Sequence, residues 1–226
     1  MLAAVIFDFD GVITDSEILH LRAFNQVLSP FGVEMSIKEY YKDYLGLSDL
    51  DCFRSLVREN RLTLNEAQLE NLLNEKKKAF EKIAKTEGKI IEGVRDFLRM
   101  LGKNNIKTAI CSGSLLAEIE LILDQARLRD FFDVIVSAEQ VKKGKPHPEG
   151  FLLTLEKLNK KGDSEIEASQ CVVIEDSHWG LESAKAAGMH TVAVTNSYDA
   201  EQLALAEKVV AHLDELKIED LQKLCG

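Results

Sequence analysis

The chain predicts an α/β fold, a doubly wound parallel sheet core with an inserted α-helical cap, and three observations lead there. An apolar run at residues 3–7 ends directly in two carboxylates, Asp8 and Asp10. From residue 89 onward, short apolar runs alternate with amphipathic stretches, the pattern of a parallel sheet covered by helices on both faces. Between the two, residues 15–87 read as helix after helix with no convincing strand.

Each element follows from its residues. The run at 3–7 is short and rich in β-branched and aromatic side chains, as in a buried strand. Asp8 and Asp10 stand two apart, so they point to the same side while strand geometry lasts. Gly11 then permits a tight turn or a close approach of backbone to ligand. Ser/Thr-x-x-Glu capping boxes at 14–17, 36–39 and 63–66 open helices with Leu19/Ala23/Val27, Tyr40/Tyr44 and Leu69/Leu72/Leu73 as apolar faces. Residues 46–51 read as a cap loop pointing back at the core. Strands are expected at 108–111, 133–136, 171–174 and 191–194, with an edge strand at 208–211. The charged stretch 160–169 reads as a solvated loop. The result is a discontinuous, Rossmann-like core of residues 1–15 and 88–226, and a helical cap of residues 16–87.

Bulk properties narrow the function. The 226 residues suffice for a full core, and the net charge of −10 disfavours nucleic acid or an anionic membrane surface as partner. No apolar segment approaches the ~20 residues that span a bilayer, and the amino-terminal region lacks a basic stretch and a cleavage site. The four cysteines are widely separated and show no metal-type pairing; Cys111 and Cys171 read as buried free thiols. These features fit a reducing cytoplasm, and no pattern implies a protein partner.

Four places just beyond the core strands carry complementary polar groups. They are Asp8 and Asp10; Ser112, Gly113 and Ser114; Lys145 in a Lys-Gly-Lys-Pro-His-Pro segment; and Glu175 with Asp176. In an open α/β sheet, ligands bind beyond the carboxyl ends of the strands. The set suits phosphoryl transfer. One carboxylate, Asp8, can attack phosphorus, and its repulsion with phosphate calls for a divalent cation. Mg²⁺, which takes few carboxylates and several waters, would find them in Asp8 and Asp176. Ser112 and the amides after it form an anion pocket, Lys145 adds a point charge, and Asp10 is free to act as acid and base. Each piece alone has a plainer reading. Asp-Gly is a common turn, Ser112 and Glu175–Asp176–Ser177 are helix caps, and Lys145 is one of several clustered lysines. The combination in this order is far more specific than any member.

Together these residues resemble the haloacid dehalogenase-like hydrolases, in the helical-cap group that holds phosphatases and β-phosphoglucomutases. Asp8-x-Asp10-Gly11-Val12-x-x-Asp15-Ser16 is similar to the first family motif, Ser112 to the second, Lys145 to the third and Glu175-Asp176 to the fourth. The resemblance implies Asp8 as nucleophile and Asp10 as general acid and base. It also implies Mg²⁺ held by the Asp8 and Asp176 side chains and the Asp10 carbonyl, with Glu175 nearby. Gly11, Asp15, His20, Gly46 and Lys76 are candidate substrate or cap residues. Mutases of this group carry a cap arginine for a distal phosphate soon after the loop glycine; here that stretch reads Gly46-Leu47-Ser48-Asp49, with an acid in the arginine's place. The expected activity is therefore Mg²⁺-dependent hydrolysis of a small phosphorylated metabolite, a sugar phosphate or phosphoglycolate-like monoester. A β-phosphoglucomutase-type mutase and a phospho-accepting, receiver-like signalling module are the alternatives.

Overall fold

The computed structural model describes every residue except Gly46 and Asp163, together with the side chain of Glu87. In chain order it runs β1 (Ala4–Phe7), α1 (Glu17–Leu28), α2 (Ile37–Glu39), α3 (Asp49–Arg58) and α4 (Glu66–Glu87). It continues through α5 (Val94–Lys103), β2 (Lys107–Cys111), α6 (Leu116–Ala126), β3 (Val134–Val136), α7 (Glu149–Lys161), β4 (Cys171–Glu175) and α8 (His178–Ala186). The chain closes with β5 (His190–Val194), β6 (Lys208–Val210) and α9 (Ile218–Leu224). Two compact units emerge, residues 1–15 with 89–226, and residues 16–88.

In the first unit the strands form one parallel sheet ordered β3-β2-β1-β4-β5-β6. The chain steps outward from β1 through β2 to β3, then returns to the far side of β1 for β4. The topological switch point thus lies between β1 and β4, where open α/β sheets bind ligands. Phe7 pairs with Ile110 on one side and Ile174 on the other, so the residues that follow, Asp8 and Glu175, emerge side by side. Alternate residues serve opposite faces. Ala4, Ile6, Ala109, Cys111, Val134, Val136, Cys171 and Val173 pack with Phe151 and Leu158 of α7 and Ala184 of α8. On the other face Phe7 meets Phe97 of α5 and Phe132 edge-on, at centroid distances of 6.0 and 5.9 Å. Cover on both faces explains why the strands are apolar throughout.

The second unit is helical. It buries Leu19, Leu21, Ala23, Phe24, Val27 and Leu28 of α1 and Cys52, Phe53 and Leu56 of α3. Two of the expected capping boxes change. Thr14 caps no helix; its hydroxyl donates to the Lys89 carbonyl at 2.8 Å, and Ser16 precedes α1 without a side-chain cap bond. The box expected at 63–66 is shifted to Asn65 and Gln68, which exchange reciprocal 2.9 Å bonds, Asn being the stronger cap. The Ser36–Glu39 box forms, but its helix widens at once into a π turn over Tyr40–Tyr44. That segment carries two buried phenols, Tyr40 donating to Glu17 at 2.8 Å and Tyr44 to Glu59 at 2.6 Å. Gly46 lies outside the described residues; beyond it, Ser48 caps α3 by accepting the Asp51 N–H at 3.2 Å. Nor is 160–169 wholly solvated. Helix α7 runs on to Lys161, and the Asn159 amide holds the backbone of buried Ile166 at 2.8 and 3.0 Å. All four cysteines are free thiols, and no described helix is long and apolar enough to cross a membrane.

Phe7 is fully buried and meets two rings of the covering layer. Phe7→Ala is expected to lower the stability of the core unit by about 3–5 kcal/mol, read from its urea midpoint. Leu152→Ala, at a position 46% exposed, should stay within about 0.5 kcal/mol. Equal losses in both variants would contradict this packing account.

Candidate active site

Beyond β1 the chain folds back in one tight turn. The Phe9 carbonyl accepts N–H bonds from Ile13 at 2.8 Å and Thr14 at 3.1 Å, and Gly11 N–H donates to the Thr14 carbonyl at 2.7 Å. Asp8 and Asp10 thus leave the sheet on a braced segment, Asp8 buried and Asp10 half-buried. The Lys145 ammonium donates to Asp8 Oδ1 at 2.6 Å and to Glu175 Oε1 at 2.5 Å, with the Phe151 ring 5.3 Å beneath it. The other Glu175 oxygen, Oε2, accepts the N–H groups of Asp176 and Ser177, both at 2.9 Å, and the Ser177 hydroxyl at 2.8 Å. Glu175 therefore has every oxygen engaged and acts as a brace for Lys145.

Asp176 differs. Its Oδ2 is buried with no hydrogen-bond partner among the described residues. Gly11, at φ +78°, lies against it, and a Cβ there would stand 1.7 Å from that oxygen. Ligand oxygens from Asp8, Glu175 and Asp176 lie within 4.8 Å of one another. An orphaned carboxylate oxygen beside two further carboxylates is a hard, oxygen-only donor set, and it fits Mg²⁺. The electrostatics agree. Burial pushes the Asp8 carboxyl up to about 7; Lys145 opposes the rise, while Glu175 and Asp10 add to it. Asp176 is raised well above the ordinary carboxylate range by burial and by its neighbours Glu175 and Asp8, with a Ser197 hydrogen bond opposing. Burial works against the Lys145 ammonium, yet Asp8 and Glu175 hold its pKa above the ordinary lysine value.

Ser112 follows β2 and is buried. It does not cap the next helix, which begins only at Leu116, where Glu139 Oε2 accepts the backbone N–H at 2.8 Å. Instead, Ser112 Oγ accepts the Ser114 N–H at 2.9 Å, which leaves its own proton to donate elsewhere. Gly113 is exposed, with open space where a Cβ would be. The Ser114 hydroxyl in turn donates to Asp10 Oδ2.

The structure thus gathers Asp8, Lys145, Glu175 and Asp176 into one cluster and ties Asp10 to the Ser112–Ser114 segment. Asp15 is exposed. His20 and Lys76 belong to the helical unit. There the fully buried Lys76 ammonium lies 2.6 Å from Asp49 Oδ1 and 2.6 Å from His20 Nδ1, over the rings of Phe24 and Phe80. Burial and the Lys76 charge hold the His20 pKa well below its ordinary value. Sequence reasoning missed Gly180 and the role of Ser114. A Cβ at Gly180 would stand 1.7 Å from Glu175 Oε1, so only glycine admits the brace into the first turn of α8. A glycine inside a helix, at about 1 kcal/mol below alanine in propensity, was the available signal.

Comparison with known proteins identifies the family. A family model described as haloacid dehalogenase-like hydrolase matches residues 5–194. The chain is 32% identical over 195 residues to a phosphorylated carbohydrates phosphatase of Thermotoga maritima, covering 84% of each chain. It is 30% identical over 222 residues to hexitol phosphatase B of Escherichia coli, covering 97% of this chain and 96% of that one. A β-phosphoglucomutase structure from Clostridium difficile superposes with a TM-score of 0.83 at 29% identity, over 100% of this chain and 97% of that one. With the four motif positions and the sheet order already in place, these matches settle membership: the chain belongs to the haloacid dehalogenase-like hydrolases.

Proposed function

We propose that the chain is a Mg²⁺-dependent phosphatase that hydrolyses small phosphate monoesters, sugar phosphates above all, through an aspartyl-phosphate on Asp8. The observation that carries this reading is the unpartnered Asp176 Oδ2 beside an Asp8 whose other oxygen is held by Lys145. Asp8 and Asp176, with the Asp10 carbonyl, would hold Mg²⁺, which when bound offsets the repulsion between carboxylates and phosphate. Lys145 fixes Asp8 through Oδ1, leaving Oδ2 to attack phosphorus. The ester P–O bond breaks, and the departing alcohol oxygen takes a proton from the Asp10 carboxyl. Asp10, now a carboxylate, then removes a proton from a water that attacks the phosphorus on Asp8. Phosphate leaves, and both carboxyl groups return to their starting states. Ser112, with its proton free, steadies the transferring phosphoryl group.

Two things support sugar monophosphates as the substrate class. The similar proteins named above include a phosphorylated carbohydrates phosphatase and a hexitol phosphatase. In the helical unit, the Asp49 carboxylate takes up the charge of Lys76, so that pair offers no net cation to a second phosphate. This favours hydrolysis over the mutase reaction. The negative net charge and the four free cysteines support a cytoplasmic enzyme without a nucleic-acid partner.

Asp8→Asn is expected to lower turnover of p-nitrophenyl phosphate by at least about 10³-fold, since the neutral amide cannot attack phosphorus; turnover within tenfold of wild type would refute the nucleophile. Incubation with β-glucose 1-phosphate and a bisphosphate primer should release inorganic phosphate, whereas formation of the isomeric sugar phosphate would establish the mutase. Metal linkage has a definite sign. The raised carboxyl values of Asp8 and Asp176 mean that, without metal, the cluster's contribution to stability falls as pH rises from about 4 towards 7. Mg²⁺ binds the ionised carboxylates, so the rise in melting temperature on adding Mg²⁺ to chelator-treated protein should be larger at pH 8 than at pH 5.5. An equal or smaller rise at pH 8 would count against a carboxylate site.

A further inference from the structure

Ser114 has a hydroxyl that helix formation does not use. Helix α6 begins at Leu116 behind a Leu115 cap position, and its first N–H is taken by Glu139. The Ser114 hydroxyl points the other way and donates to Asp10 Oδ2. Its backbone is meanwhile fixed on both sides. The N–H donates to Ser112 Oγ at 2.9 Å, and the carbonyl accepts the Ala138 N–H at 3.1 Å. Glu139 adds a third tie, since its Oε2 also accepts the Ser137 hydroxyl at 3.2 Å. Ser114 is therefore anchored to the ends of both β2 and β3, while Asp10 stands on the turn beyond β1.

We propose that Ser114 is a positioning residue for Asp10, its hydroxyl holding the Asp10 carboxyl in the orientation from which it serves the departing oxygen. The proposal rests on the phosphatase reading above, in which Asp10 is the acid and base. The physical ground is rotational freedom. An aspartate side chain turns about two bonds, and a misplacement of about 1 Å in a reacting group can cost 10²-fold in rate. A hydroxyl fixed to two strands removes that freedom without itself touching the reacting atoms. The same short segment carries Ser112, so one loop would set both the anion pocket and the acid.

The test is leaving-group dependence of kcat/KM, which reports the steps through phosphoryl transfer to Asp8. Phenyl phosphate releases a phenol with a pKa near 10, comparable to a tyrosine side chain, and needs the acid; 2,4-dinitrophenyl phosphate needs it far less. Ser114→Ala is expected to lower kcat/KM for phenyl phosphate about tenfold more than for 2,4-dinitrophenyl phosphate, and Ser114→Thr, which keeps the hydroxyl, to recover most of that difference. Should the alanine variant not fold, Ser114→Cys, with its weak donor, reads the same ratio. Equal losses on both esters, or a threonine variant no better than the alanine one, would overturn the role of Ser114. A wild-type protein that releases phosphate from neither ester would instead overturn the phosphatase reading.

Discussion

The Lys145 ammonium, bonded at once to Asp8 and Glu175, is the interaction on which the rest of the core unit's chemistry depends. Three carboxylates meet here with little solvent between them. Like charges 4 Å apart repel by about 1 kcal/mol in water and about 4 kcal/mol at the effective dielectric of a protein surface. One cation within hydrogen-bond reach of two of them makes the cluster tolerable. Removing one member of such a buried pair typically destabilises by about 3–5 kcal/mol. A single ammonium does not neutralise three acids, however, and the raised carboxyl values of Asp8 and Asp176 record the remainder. The excess is what a divalent cation would answer.

The sheet exists in the form that makes this convergence possible. Register between β1 and β4 sets Phe7 against Ile174, and both neighbouring strands continue into acids at the switch point. Two glycines complete the fit from opposite directions. Gly11 yields the volume that Asp176 occupies, and Gly180 yields that of Glu175. Gly11 also suits its positive φ, but Gly180, lying inside a helix, is an unfavourable choice for local stability. Such departures from local preference are expected where a site takes priority over packing.

Much of this was legible in the residues, because burial on both faces of a parallel sheet leaves an unmistakable run of apolar side chains. All the expected strands are present, with ends displaced by no more than one residue, and the edge strand β6 lies where its short run implied. The cap boundaries of helices were less legible. Thr14 satisfied the capping pattern, yet its hydroxyl binds Lys89, seventy-five residues away, and no local window contains that partner. Ser112 likewise matched a helix start, while the helix began four residues later under the control of Glu139. The partnership between Ser114 and Asp10 spans 104 residues and is a property of the assembled sheet. Lys76 was legible as a cap cation to watch. That its charge is matched by Asp49 depends on how α3 and α4 pack, which spacing alone does not encode.

The helical unit and the core therefore contribute different things. The core supplies a charge-dense cluster with one oxygen left unpartnered among the described residues, and the helical unit supplies a buried, internally neutralised Lys76–Asp49 pair. The proposed hydrolysis turns on covalent transfer to the Asp8 carboxylate. Rapid acid quench of the enzyme during turnover of a phosphate monoester, followed by peptide mapping by mass spectrometry, tests that directly. A phosphoryl group on the peptide's Asp8 is the predicted result, and a phosphoryl group on any other residue would contradict it.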